Sequence, residues 1–473
     1  MSDAILTAAS DRREFLRRVF LGAGALGLPA WLAACGASGA DAAAPRSDAL
    51  PVTPGPLSTI GELQDAGLDG IRIPAGFSVR AVARHYTNPL TGNFDLLGLS
   101  GYVWHNAPDG GAVFDAPDGG WVYVSNSETG VNGSVFGSSR DGGVGALRFA
   151  ADGTVTAAYR ILDGTRRNCA GGKTPWQTWL SCEETGDGQV YECQPFGTPD
   201  DARALPALGL FNHEAACIDL ATRTVFLTED AGDGRFYRFV ADASDLVSEN
   251  GVTWLKMQSG RLQVMNVEGY ENDAYIDGDD NARLLRKVSW IDVAEPGRAQ
   301  GEVRSALAAA GQTVPGTVFK GGEGIWHYAV PDALTAIPAG GSGATRALVF
   351  FTTKGDNRVY AYDIDNGLIQ TVFDNASIDP PFDDVDNLVV SPAGDIVVAE
   401  DGEAMRLMVI VPGAPAKTLL QITLGGSELT GPAFTADGSR LYFSSQRGPN
   451  LAIGKTGSGV TYELTIPPAY RGG

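Results

Sequence analysis

Positive charge is scarce in this chain. Among 473 residues, 35 Lys and Arg stand against 56 Asp and Glu, a formal net charge of -21. A general nucleic-acid binder meets phosphates with a basic footprint, so that class is excluded. Cysteine and histidine are also few, five and four, with no Cys-x-x-Cys pair and no zinc-type spacing; the common zinc modules are excluded as well. Neither a serine nucleophile elbow nor a phosphate-cradling glycine loop is present, which disfavours serine and nucleotide hydrolases. The longest leading apolar run, Val19 to Ala34, falls short of the roughly 20 residues that span a bilayer. Aromatics are only 9% of the chain, but hydrophobic residues make up 44%, enough for a large core and too many for disorder. What remains in excess is carboxylate, which attracts hard cations, and glycine, 62 residues of it.

The first 35 residues read as an address. Asp11 to Leu16 carries a twin arginine, and the apolar run ends in Leu32-Ala33-Ala34-Cys35, which resembles a bacterial lipobox. Export by the twin-arginine route to a periplasmic or envelope-anchored location is expected, with Cys35 as the lipid-bearing residue or incidental to a plain signal cut. Residues 36–58 read as a flexible tether rich in Ala, Pro and Ser. In an oxidising setting Cys169, Cys182, Cys193 and Cys217 are disulfide candidates, balanced against one being a ligand.

Beyond residue 58 the chain has short apolar runs broken by Gly, Asp-Gly and Pro, the pattern of β-hairpins. Six runs end at polar or acidic tips: Glu128, Glu183-Glu184, Glu229-Asp230, Asp356, Glu400-Asp401 and Gln446-Arg447. A single acidic tip is ordinary turn chemistry; several in one chain predict strand ends converging at the mouth of a β-propeller. The expected fold is therefore all-β, one six-bladed propeller over 59–473 with small helical insertions. Residues 241–316 read as an insertion with a short helix near Glu302 to Ala310. Phe77–Ala83 and Gly459–Thr465 read as terminal strands that close the ring.

The acids keep unusual company. Asn168 to Glu184 ends in a thiol beside two carboxylates, Phe211 to Glu214 opens another unit, and Glu323 stands between glycines. Asp383 to Leu388 leads into the strand ending at Glu400, and Glu428 to Gly431 precedes the last one. At Thr174–Glu184, Phe211–Glu214, Thr228–Asp230, Glu323-Gly324, Asp386-Asn387 and Glu428–Gly431 the chain resembles the PhoX family of exported bacterial phosphatases. The resemblance implies a phosphoric ester hydrolase with ferric iron (Fe3+) and calcium (Ca2+) on a propeller axis. It implies Cys182 as the thiolate ligand, Glu214 and Glu323 as core carboxylates, and Asp386 and Glu400 as further ligands. Glu128, Glu184, Glu229, Asp230, Asn387, Asp401 and Glu428 follow as outer ligands. Larger members carry an Arg where this chain has Gly321; Lys320 beside it is the catalytic candidate, and Lys173, Lys354 and Arg447 are other sources of the cation.

Several motifs read more plainly. Trp176, Trp179 and Trp326 suit packing, as do His105 and His327, while His213 suits either a hydrogen-bonded channel position or a metal. Asp277 to Asn281 opens like a calcium loop but lacks the glycine and closing glutamate that chemistry needs. A small phosphorylated substrate, a monomer, and membrane contact through a lipid anchor alone are expected. The alternatives are a calcium-stabilised envelope scaffold without activity and a calcium-dependent lactonase-type propeller.

Overall fold

The computed structural model describes residues 46–47, 49–95, 98–130, 142–276, 284–374, 382, 384–449 and 459–471. The leader, residues 36–45 and 48 of the tether, and the Asp277–Asn281 loop lie outside the described residues.

Alternating apolar runs and tight turns give antiparallel meanders, each strand pairing with the next in sequence. Three sheets have four strands. One runs Pro108–Asp115, Trp121–Ser127, Gly142–Phe149 and Val155–Thr165. The second runs Asn168–Lys173, Trp179–Glu183, Val190–Cys193 and Arg203–Ala204. The third joins Leu429–Phe434, Arg440–Ser445 and Val460–Thr465 to Ser78–Arg84, so the two ends of the domain are stitched in one sheet, as the terminal strands predict. A six-stranded sheet extends Val385–Val390, Ile396–Glu400, Arg406–Ile410 and Lys417–Ile422 with Ile71–Pro74 and Leu63–Asp65.

The arrangement is propeller-like, but six separate blades are not what forms. Arg286 and Lys287 pair with Ile369 and Leu368, fusing the strands that begin at His213 and at Gly322 into one nine-stranded sheet. The cause lies in the 241–316 segment. Its strands Gly260–Val267 and Arg286–Asp292 continue the sheet outward until it reaches the neighbour's edge, where unpaired backbone groups are satisfied. The expected helix is there, Gln300–Ala309.

Six inner strands, Pro108–Asp115, Asn168–Lys173, His213–Asp219, Gly322–Ala329, Val385–Val390 and Leu429–Phe434, pack side by side in a closed ring. Six apolar clusters fill the spaces between successive strand groups, for example Phe226, Phe236 and Val349 with Phe351. Burying each such side chain contributes about 1.5–3 kcal/mol. Close approach at the axis needs residues without bulk: a Cβ on Gly172 would stand 1.7 Å from the Ala216 carbonyl oxygen, and one on Gly324 would stand 2.2 Å from the Leu388 nitrogen.

Candidate functional site

Every inner strand carries a pairing irregularity near its start. The register shifts between Pro108 and Gly111, between His213 and Ala216, between Gly322 and Ile325, between Val385 and Leu388, and between Thr430 and Ala433. The strand beginning at Asn168 shifts likewise, opposite Ser181 to Glu183. A bulge bends a strand and re-aims its side chains. At the bulged positions stand Asp109, Cys169, Glu214, Glu323 and Asp386, an inner ring of candidate ligands.

An outer ring comes from the residues directly after each second strand: Glu128, Glu184, Asp230, Lys354, Asp401 and Gln446. Side chains alternate along a strand, so the preceding residue turns the other way. Glu229 is therefore spent on structure: Arg304 donates to both of its oxygens at 2.9 and 3.0 Å, and the Arg235 backbone N–H donates at 2.9 Å. Glu400 likewise pairs with Arg406 and accepts from its backbone N–H. Both were expected ligands, and alternation removes both from the site.

Ligand-type atoms gather in four overlapping groups, each with its atoms within 4.8 Å of one another: Asp109, Glu128 and Cys169; Cys169, Glu184 and Glu214; Glu214, Glu323 and Asp386; Asp386, Asp401 and Glu428. The expected carboxylates Glu128, Glu184, Glu214, Glu323, Asp386, Asp401 and Glu428 are thus brought together. Asp230 lies beside them, its oxygen 3.1 Å from where a Cβ on Gly321 would be. Asn387 serves as a tie, donating to Asp386 at 2.7 Å and accepting from the Gly431 N–H at 2.7 Å.

The thiol in the cluster is Cys169, and Cys182 is the correction. Cys182 follows Leu180 on the same face of its strand and packs with Val190, Leu205 and Phe211 in an apolar cluster. All four described cysteines are free, so of the two alternatives the disulfides do not form among them. Lys320 also leaves the site: its ammonium lies 3.4 Å from the centroid of the Tyr275 ring. Lys173 donates to the Val113 carbonyl at 2.8 Å. The cation among the acids is Lys354, with Nζ 3.1 Å from Asp401, 3.3 Å from Asp386 and 3.4 Å from Glu323. At the rim Arg167 holds Glu184 at 2.8 Å and Glu128 at 3.0 Å, and Arg447 holds Glu428 at 2.9 Å. His213 is a packing residue, its ring tilted against Phe211 and its Nε2 3.1 Å from the Gly209 carbonyl; burial pulls its pKa down to about 4. Asp109 has no signal beyond the Asp-Gly-Gly at the start of its strand, the same acid-then-small pattern as Glu323-Gly324.

Burial followed by mutual repulsion raises Glu214, Asp109 and Glu428 well above the ordinary carboxylate range. Burial pushes Glu323 up too, although Lys354 opposes it. The Cys169 thiol rises for the same reasons, burial first and then the charges of Asp109, Glu214, Glu128 and Glu184. Burial also raises Asp401, but contact with Glu428 and Lys354 leaves it below its usual value, while burial and the same contact push Glu428 up. Glu214 is fully buried, and among the described residues neither of its oxygens has a hydrogen-bond partner. An ionised carboxylate in that state costs several kcal/mol. Oxygen donors in this number, one thiol and unmet negative charge fit a group of metal ions. A cavity of about 510 Å³ continues along the axis, lined by Gly110, Ala170, Ala215, Gly324, Asn387 and Gly431 among others.

Fold and site define the class of protein: an all-β, propeller-like protein with a carboxylate cluster suited to metal ions at the ends of its inner strands. A family model described as alkaline phosphatase PhoX matches residues 142–448, and the chain belongs to that family. Pseudomonas fluorescens PhoX in complex with vanadate, a transition state analogue, shares the fold at 15% identity and a TM-score of 0.63, with 89% of this chain and 99% of that one covered. A gluconolactonase from Xanthomonas campestris aligns at 13% identity over 86% of this chain and 98% of its own, with a TM-score of 0.40. No curated protein matches the chain.

Proposed function

We propose that this protein is an exported phosphatase that hydrolyses phosphate esters at a mixed iron and calcium centre held by carboxylates and Cys169. The observation that carries the reading is Glu214, buried with both oxygens unpartnered where two ligand groups meet. Glu214, Glu323 and Asp386 would hold the core with Cys169. Asp109, Glu128 and Glu184 would flank it on one side, Asp401 and Glu428 on the other. Calcium suits the crowd of oxygens, and a ferric ion suits carboxylate with one thiolate. When bound, such ions attract phosphate oxygens, acidify water and stabilise a leaving alkoxide.

The chain's own residues prepare that chemistry. Asn387 orients Asp386, Arg167 spans Glu128 and Glu184, and Arg447 steadies Glu428. Asp401 and Glu428 lie in contact, and burial with that contact favours the neutral form of Glu428. Twin-arginine export, lipidation at Cys35 and a monomeric state belong to the same proposal and rest on the sequence.

Elemental analysis of protein purified without chelators tests the centre. Iron with calcium, and a thiolate-to-iron absorption lost in Cys169→Ala but kept in Cys182→Ala, is the expected result. Calcium alone would remove the iron from the reading. Release of p-nitrophenol from its phosphate mono- and diesters, abolished by EDTA, tests the activity; metal-loaded protein without turnover would favour the scaffold alternative.

A further inference from the structure

Position 354 breaks the chemistry of the outer ring. Its five register equivalents are Glu128, Glu184, Asp230, Asp401 and Gln446, four acids and an amide; here the residue is lysine. Its backbone is fixed. The Lys354 N–H donates to the Gly321 carbonyl at 2.8 Å, and the Gly355 N–H donates to that of Lys320 at 3.0 Å. Gly321 adopts φ 61°, and a Cβ there would lie 3.4 Å from the Lys354 Cβ. Without a side chain at 321, the lysine stem has space on that flank.

The ammonium faces Glu323, Asp386 and Asp401 together, while the side chain is 27% exposed and so also reaches the mouth. The other cations lie outside the core. Arg167 and Arg447 pair with Glu128, Glu184 and Glu428 and do not reach Glu323 or Asp386, and Lys320 lies over Tyr275. A phosphoryl dianion approaching a nest of acids is repelled except where mobile positive charge meets it. An ammonium is a compact point charge on a flexible stem, free to exchange one anionic partner for another.

We propose that Lys354 is the side chain that contacts the phosphoryl oxygens. It lies among three carboxylates when they are unneutralised and turns to the anion once cations occupy them. This rests on the phosphatase reading above and adds the substrate contact to it.

The test uses the full protein as purified, with its metal content measured, and inorganic phosphate as the probe in calorimetric titration at fixed salt. In Lys354→Met, phosphate affinity falls about 10- to 100-fold with metal content unchanged. Lys354→Arg recovers part of the loss, and Lys320→Met binds phosphate as the parent does. Parental phosphate affinity in Lys354→Met overturns the proposal. Loss of metal together with phosphate also overturns it, since that is the mark of a structural ion pair. Lys354→Gln carries the same expectations if the Met variant does not fold. Parent protein with full metal that neither binds phosphate nor cleaves esters sinks the phosphatase reading and this contact with it. Ester cleavage with an unchanged KM in Lys354→Met sinks the contact alone.

Discussion

Replacing Glu214 by Gln gives opposite outcomes with and without metal. In the stripped protein Glu214 lies within 4.8 Å of Glu323 and Asp386 by ligand atoms. At that distance and an effective dielectric of about 20, each like-charge neighbour costs about 3.5 kcal/mol. Lys354 offsets part of this. Together with burial, this repulsion holds Glu214 well above the ordinary carboxylate range. The folded, metal-free protein therefore holds the Glu214 proton more tightly than the unfolded chain, which releases it above the ordinary 4.5. Parent stability then falls as pH rises, by about 1.4 kcal/mol per unit from this group, and Glu214→Gln lacks that slope. Urea unfolding after exhaustive chelation is the assay, at pH 6, 7 and 8. The Gln variant is expected to be more stable by about 2–3 kcal/mol at pH 7, with the gap widening as pH increases. Restoring metal reverses the order, because the amide is a weaker ligand. A gap of zero in chelator, or one that does not move with pH, would refute the account and mean that Glu214 has a partner the geometry does not reveal.

Arg304→Met leaves Glu229 buried and unpaired, and an unfolding loss of about 3–5 kcal/mol is expected, whereas Glu229→Gln leaves metal content unchanged by elemental analysis. Asp219 is held below its usual pKa: burial raises it, but His327, Arg346 and Thr222 more than compensate. Its contribution is present above its ordinary value of 3.8 and lost as pH falls through the depressed one. Asp219→Asn should thus cost about 1.5–3 kcal/mol at neutral pH, with the difference from the parent shrinking in strong acid, as read by denaturant titration across pH. Gly172→Ala drives a methyl into the Ala216 carbonyl at 1.7 Å, and thermal unfolding is expected to drop by the equivalent of about 1–3 kcal/mol or more; an unchanged midpoint would mean the inner strands have slack.

Much of the site was legible because its positions recur. Acids at strand ends mark the outer ring at Glu128, Glu184, Asp230 and Asp401, and the family resemblance marks Glu214, Glu323 and Asp386 of the inner ring, while Asp109 and Cys169 stand out in neither way. Three differences share one origin. The sequence points to Cys182 rather than Cys169 and to Glu229 and Glu400 as ligands, because motif proximity does not say which way a side chain points. Alternation along the strand turns Cys182 inward with Leu180, and pairing with Arg304 and Arg406 claims the two glutamates. Lys320 failed similarly: the backbone bonds that fix Gly321 and Lys354 bring Lys354 to the acids and leave Lys320 against Tyr275. The fused nine-stranded sheet was invisible for another reason. Pairing of Arg286–Lys287 with Leu368–Ile369 joins segments some 80 residues apart that share no pattern.

By itself the sequence determined the class of fold and the chemistry available, since periodicity selects strands and a surplus of carboxylates around few basic residues calls for cations. Tertiary structure alone decided which thiol and which lysine take part. That choice depends on bulges that re-aim six strand starts by one position, and a one-position change turns a side chain from the apolar core to the axis.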